Sequence, residues 1–173
     1  MFAAISNDTA VVLSNGICRL ATNVVVTPPV RVLQGCGRAC DTVLDGASVF
    51  TPAVSLSSIV ERVTISYCAR NARIAVAGGL RSVAVTACGW VLLAGGNLDS
   101  CLVAGNTANS SGDDIYLGAL ATLTPTYSLV GSNDGNSLVA ANPDGNGNLI
   151  GDAGAPIDAR LGSLAGNGGG TPT

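Results

Sequence analysis

Three segments of this chain line up without gaps: Arg62-Val63-Thr64-Ile65-Ser66-Tyr67-Cys68, Ser82-Val83-Ala84-Val85-Thr86-Ala87-Cys88 and Ser100-Cys101-Leu102-Val103-Ala104-Gly105-Asn106. The offsets are 20 and then 18 residues. In each segment apolar residues alternate with small or polar ones, the pattern of a half-buried strand. Val63, Val83 and Cys101 share one column, Ile65, Val85 and Val103 the next inward one. Arg62, Ser82 and Ser100 are predicted to point outward. One strand recurring at such a period predicts coils that return roughly 4.8 Å above their start, a parallel β-solenoid. Gly78-Gly79 and Gly95-Gly96 precede the second and third strands, where a turn with positive φ suits glycine.

The earlier chain follows the same scheme. Val24–Val26, Val30–Leu33, Thr42–Leu44 and Val54–Leu56 are short apolar runs, broken by Pro28-Pro29, Gly35-Cys36-Gly37 and Asp45-Gly46. Residues 11–110 then make roughly five coils. The expected fold is all-β, a right-handed parallel β-helix. Residues 1–130 are its coils and 131–173 a loop-rich segment of the same domain, rich in Gly, Asn and Asp. An antiparallel β-sandwich is the rival, but it predicts hairpin turns every ~8–12 residues rather than three strands in register. Neither end shows an amphipathic helix to cap the stack, so exposed strand edges and association with neighbouring β-helix coils are expected.

Composition removes several function classes. The chain has eight Arg and neither Lys nor His, which excludes His-dependent nucleophile pairs, His-ligated metals, Schiff-base lysines and the P-loop lysine. Glu61 and Gln34 are its only Glu and Gln, too few for ordinary helix surfaces. Aromatics are 3% of the residues, so the core must be narrow and filled by Val, Ile, Leu, Ala and Cys. Residues 1–90 hold seven Arg against four acids, and 91–173 one Arg against seven acids. A chain with a net charge of −3 is not the basic protein that nucleic acid recruits. Mean hydropathy is +0.46. Even so, the longest uncharged windows, Ser82–Leu98 and Ile115–Asn133, are broken by Gly95, Gly96, Asn97, Pro125 and Asn133, so no transmembrane segment is expected. The first ten residues lack the basic region of a signal peptide.

Two stretches carry a family resemblance. Gly95-Gly96-Asn97-Leu98-Asp99-Ser100-Cys101-Leu102-Val103-Ala104-Gly105-Asn106-Thr107-Ala108 resembles a coil of bacterial right-handed parallel β-helix surface proteins. Tyr127-Ser128-Leu129-Val130-Gly131, Gly147-Asn148-Leu149-Ile150-Gly151-Asp152 and the run Pro156–Thr173 resemble the ending of choice-of-anchor Q domain proteins. Residues 11–60 are similar in style to the opening coils of pectin-lyase-like folds. Ala159, Gly166 and Gly170 depart from the pattern, and the chain reads as a truncated member. The resemblance implies an exported bacterial cell-surface protein, in the medium or on the cell, with a structural or adhesive role and no catalysis. Its expected partner is surface polysaccharide.

The same resemblance raises one alternative, a polysaccharide lyase or hydrolase acting on acidic glycans. A lyase would need an Arg base, and Arg62, Arg70, Arg73 and Arg81 lie within one coil near Glu61. A glycosidase needs two carboxyls at a set separation, and Asp113-Asp114 is the one adjacent pair. The run Asp144-Gly145-Asn146-Gly147-Asn148, with Asp152 beyond it, resembles half a calcium loop. The twelfth position, however, is Ala155 rather than Glu. Each of these reads more simply as a solvated face or polar turn, so no catalytic, metal or cofactor residue is expected. Thr122-Leu123-Thr124-Pro125-Thr126 occurs once and is no ice-binding ladder. Cys36 and Cys40 are spaced for a small disulfide, Cys101 is expected buried, and Cys18 has no evident partner. Cys68, Cys88 and Asn106 share one column after the strand. Cys68 and Cys88 are expected to stack as free thiols, while Asn106 bonds the turn.

Overall fold

The computed structural model describes residues 10–19, 24–26, 31–37, 42–46, 54–56, 59–66, 73–93, 96–108, 112–117 and 121–160. The first coil supplies β1 (Ala10–Leu13), β2 (Gly16–Arg19) and β3 (Val24–Val26). The second supplies β4 (Val32–Gly35), β5 (Thr42–Asp45) and β6 (Val54–Leu56), and the third β7 (Ile59–Glu61), β8 (Thr64–Ser66) and β9 (Arg73–Val76). The fourth holds β10 (Leu80–Arg81), β11 (Ala84–Thr86) and β12 (Trp90–Leu93). The fifth holds β13 (Gly96–Asp99), β14 (Leu102–Val103) and β15 (Ile115–Leu117). Beyond it lie β16 (Leu123–Thr126), β17 (Leu129–Val130) and β18 (Leu149–Ile150).

Every third strand pairs with the one before it. The sheets run β1-β4-β7-β10-β13-β16, β2-β5-β8-β11-β14-β17-β18 and β3-β6-β9-β12-β15, and all the strand pairings are parallel. The chain is a parallel β-solenoid without helix among the described residues. Val85 pairs with both Ile65 and Val103, the alignment read from the sequence. The spacing is less uniform than a period near 20 suggests. In the first sheet Ala10 pairs with Val32, Val32 with Ile59 and Gly96 with Leu123. The excess residues leave the coil as loops between strands, where insertion costs little. The pattern also persists past residue 110, because β15 extends the third sheet, β16 the first, and β17 and β18 the second.

The core is one continuous stack. In the second sheet Leu44, Ile65, Val85, Val103, Val130 and Ile150 lie one above another, all buried. Leu33, Val60, Leu80 and Leu98 do the same in the first sheet. Each fully buried side chain of this kind contributes roughly 1.5–3 kcal/mol. Tyr116 and Tyr127 lie outside this core, exposed.

Positive φ marks the corners. Gly79 and Gly96 adopt 101° and 118°, as the Gly pairs predict; Gly95 lies outside the described residues. At the corner between the first and second sheets, Arg62, Ser82, Ser100 and Tyr127 adopt φ of 54°, 51°, 54° and 48°. Gly147 follows in the same column at 76°.

At the β18 edge the chain covers itself with a loop rather than a helix. Leu138 and Ala141 pack against the core, and Ala141 bridges Ile150 antiparallel, with N–H···O distances of 2.8 and 2.9 Å.

Candidate functional site

Two corners of the solenoid are built by the same side-chain device. Asn106 follows β14, buried at 5% exposure. Its Oδ1 accepts the Cys88 N–H at 3.0 Å, and its Nδ2 donates to the Val85 carbonyl at 3.1 Å. The amide thus reaches back one coil and satisfies a turn that would otherwise bury unpaired groups. Asp114 Oδ1 accepts both the Asn106 N–H, 3.0 Å, and its Nδ2–H, 3.1 Å. Asn148 repeats the arrangement: Oδ1 accepts the Ser128 N–H at 3.0 Å, and Nδ2 donates to the Pro125 carbonyl at 2.9 Å. Asp144 accepts the Asn148 N–H and Nδ2–H, each at 2.9 Å. Ser128 Oγ in turn accepts the Cys101 N–H at 3.0 Å.

The carboxylates differ in setting. Burial pushes Asp114 up from 3.8 to about 6, against the hydrogen bonds from Asn106 and Ser132 that favour its charged form. Asp144 is held below its ordinary value, first by the Asn148 side chain and then by the Asn148 N–H. Asp144 Oδ1 also accepts the Asn146 N–H at 2.8 Å, so the calcium-like run is an Asx turn whose acceptors face N–H groups. Asp113 accepts from Ala108 N–H while Asp114 holds Asn106. The adjacent pair therefore serves two separate turns. Among the described residues no three His, Cys, Asp or Glu cluster as a metal site.

The arginines part company. Arg81 lies on the first sheet between Glu61 and Asp99, its register neighbours. Its Nη1 is 2.9 Å from Glu61 Oε1 and its Nε 3.6 Å from Asp99 Oδ2. Arg62, at the corner, donates to Gln34 Oε1 at 3.1 Å. Arg73 belongs to β9 in the third sheet, because a coil turns two corners in the 20 residues between the first and last of these arginines. Arg70 lies outside the described residues. Thr124 and Thr126 are exposed on β16, where the Thr124 hydroxyl donates to Asn97 Oδ1 at 2.6 Å; their register neighbours are Asn97 and Asp99, so no threonine ladder forms on these strands.

The cysteines separate similarly. Cys18 and Cys36 are exposed free thiols, and Cys36 Sγ donates to Asn15 Oδ1 at 2.8 Å. Cys40 lies outside the described residues. Cys88 is buried, and Asn106 bonds the turn beside it as expected; Cys68 lies outside the described residues, and with it the expected stack of thiols. Cys101 is buried with its thiol pushed up by desolvation.

One surface was missed by sequence reasoning. The outer face of the second sheet carries Ala84, Leu102, Leu129 and Leu149 in register. With the corner residues they line an open groove of about 370 Å³. Tyr127 stands at its lip, 75% exposed. A Cβ at Gly147 would come within 2.8 Å of the Tyr127 ring, so the ring lies against this backbone. The signal was present in Tyr127-Ser128-Leu129 and Asn148-Leu149, but nothing in the alternation marks an outward Leu as part of a groove. A second cavity of about 460 Å³ lies beneath residues 137–141, above Leu123 and Pro125.

The motif behind the family resemblance has a structural reading. Leu129-Val130-Gly131 and Leu149-Ile150-Gly151 are successive rungs in register. A Cβ at Gly131 would strike Asp114 and Ala104, and one at Gly151 the Gly131 carbonyl, so glycine is required for the close approach. This is a β-solenoid whose polar corners are held by Asn–Asp pairs. No family model, curated protein or solved structure matches the chain.

Proposed function

We propose that this chain is part of an exported bacterial cell-surface β-solenoid with a structural or adhesive role and no catalysis. One observation carries this reading. The side chains with chemical potential are engaged with the scaffold: Asp114 and Asp144 hold asparagines, and Arg81 lies between two acids. The sequence resemblance to choice-of-anchor Q and pectin-lyase-like proteins supports the surface assignment, with polysaccharide as the partner class. The test has two arms. The protein should co-sediment with bacterial cell walls, and incubation with polyuronates, with and without calcium, should yield no unsaturated product. Product that vanishes in Arg62→Ala or Arg81→Ala would overturn the reading in favour of a polysaccharide lyase using the open face of the first sheet.

A further inference from the structure

The corner row is conformationally costly. Arg62, Ser82, Ser100 and Tyr127 hold left-handed backbone, a region that side chains other than Gly and Asn disfavour. The chain has the cheaper solution available and uses it at Gly147 in the same column. The row therefore presents side chains where the backbone alone would favour glycine. Such strain is a pointer to a site only with a second observation, and the groove supplies it. Its floor is Leu102, Leu129 and Leu149, its lip Ser82, Ser100 and Tyr127, and every residue lining it is uncharged. The charged residues Glu61, Arg81 and Asp99 sit on the first sheet, Asp99 accepting the Ser100 hydroxyl at 3.1 Å from beside the lip. The Tyr127 ring lies against Gly147 and is otherwise exposed, leaving ring surface free to meet a ligand.

We propose that this groove binds a neutral linear glycan running along the solenoid axis, with one sugar ring stacked on Tyr127 and its hydroxyls meeting Ser82 and Ser100. Three arguments favour this occupant. An uncharged, mostly apolar trough with serine hydroxyls at its lip suits the apolar ring faces and hydroxyl edges of a pyranose. Charge complementarity excludes uronates, which would find no cation in the lining. The coils repeat every ~4.8 Å, close to the advance of one pyranose unit, so successive rungs fall beside successive sugars. The inference rests on the adhesive reading and names its ligand.

The test is calorimetric titration of the full chain with cellohexaose, xylohexaose, mannohexaose and hexagalacturonate. At least one neutral hexaose should bind saturably, and the uronate should not. Tyr127→Ala should weaken binding on the order of tenfold, the equivalent of one lost aromatic contact, while Tyr127→Phe retains it. Tyr127→Gly should lose binding equally yet melt no lower than the parent, because glycine relieves the left-handed strain. A lower melting temperature for Tyr127→Gly would make the tyrosine structural and overturn the proposal. So would preference for the uronate, absence of binding by all neutral hexaoses, or binding untouched by Tyr127→Ala. If cell-wall co-sedimentation persists in Tyr127→Ala, the groove is wrong while the adhesive reading stands; if the parent itself does not co-sediment, that reading falls with it.

Discussion

The corner at Asn106 and the corner at Asn148 use the same three groups: an asparagine amide reaching back one coil, and an aspartate gripping the asparagine from behind. Their acids behave oppositely. Asp114 is 3% exposed and its proton is held more tightly than usual, whereas Asp144 is half-buried and holds its proton more weakly. Equivalent N–H donors thus favour the carboxylate at both corners, and the extent of burial decides the net direction. Within the stack, desolvation outweighs the same hydrogen bonds.

Both corners depend on the apolar column beside them, and cutting that column should produce the largest effect. Ile65→Ala should cost about 2–5 kcal/mol in denaturant unfolding, through lost burial and the cavity left behind. Removing the amides separates the two corners. Asn106→Ala should cost on the order of 1–3 kcal/mol by stranding the Cys88 N–H inside the stack and taking from the Val85 carbonyl one of its two donors, the other being the Ala104 N–H. Asn148→Ala strands equivalent groups one coil from the β18 edge. Its damage should be confined to faster amide exchange at Ser128 and Leu149, with the global transition less affected. Equal global losses would erase the distinction between interior and edge.

The acids give the next contrast. Because the folded pKa of Asp114 is raised from 3.8 to about 6, the folded protein binds a proton that the unfolded chain releases. The contribution of Asp114 to stability is therefore full below about pH 4 and declines as pH rises to about 6. Asp114→Asn should flatten that decline. Asp144 has the opposite sign: its contribution is present above the ordinary carboxylate range and is lost as pH falls through its lowered value. Melting curves collected across this range for the parent and each Asp→Asn variant check both directions. The smallest effect belongs to Arg81→Ala. Its pairs with Glu61 and Asp99 are exposed on the arginine side, so the loss should be below about 1 kcal/mol and shrink further with salt.

The stack was legible in the sequence because the Val63–Ile65, Val83–Val85 and Cys101–Val103 segments repeat at nearly constant spacing. Asn106 was legible as a turn residue because it closes one of those segments. Asp114 was not, since its role depends on a loop that returns it to Asn106. Asn148 was hidden for a different reason: alternating Asp, Gly and Asn describes a cation loop and an Asx turn equally well. The separation of Arg73 from Arg62 and Arg81 follows from where the coil turns, which residue spacing alone does not encode. Tyr127 and the outward leucines were invisible because alternation reports which residues point in, not what the outward ones assemble.

The bridge between Ala141 and Ile150 has a consequence for what the second sheet can recruit. In a parallel ladder alternate residues aim their amide and carbonyl at opposite neighbours; here Leu149 and Gly151 bond back to Ser128 and Val130. Ile150 N–H and C=O face the other way, and Ala141 occupies both. The next strand's docking positions at this residue are already filled by the chain's own backbone, in antiparallel sense. An incoming segment would have to displace Ala141 before it could template on β18. The fold thus carries at this edge its own terminator of sheet growth, a safeguard against the runaway fibril assembly to which an open parallel ladder is prone.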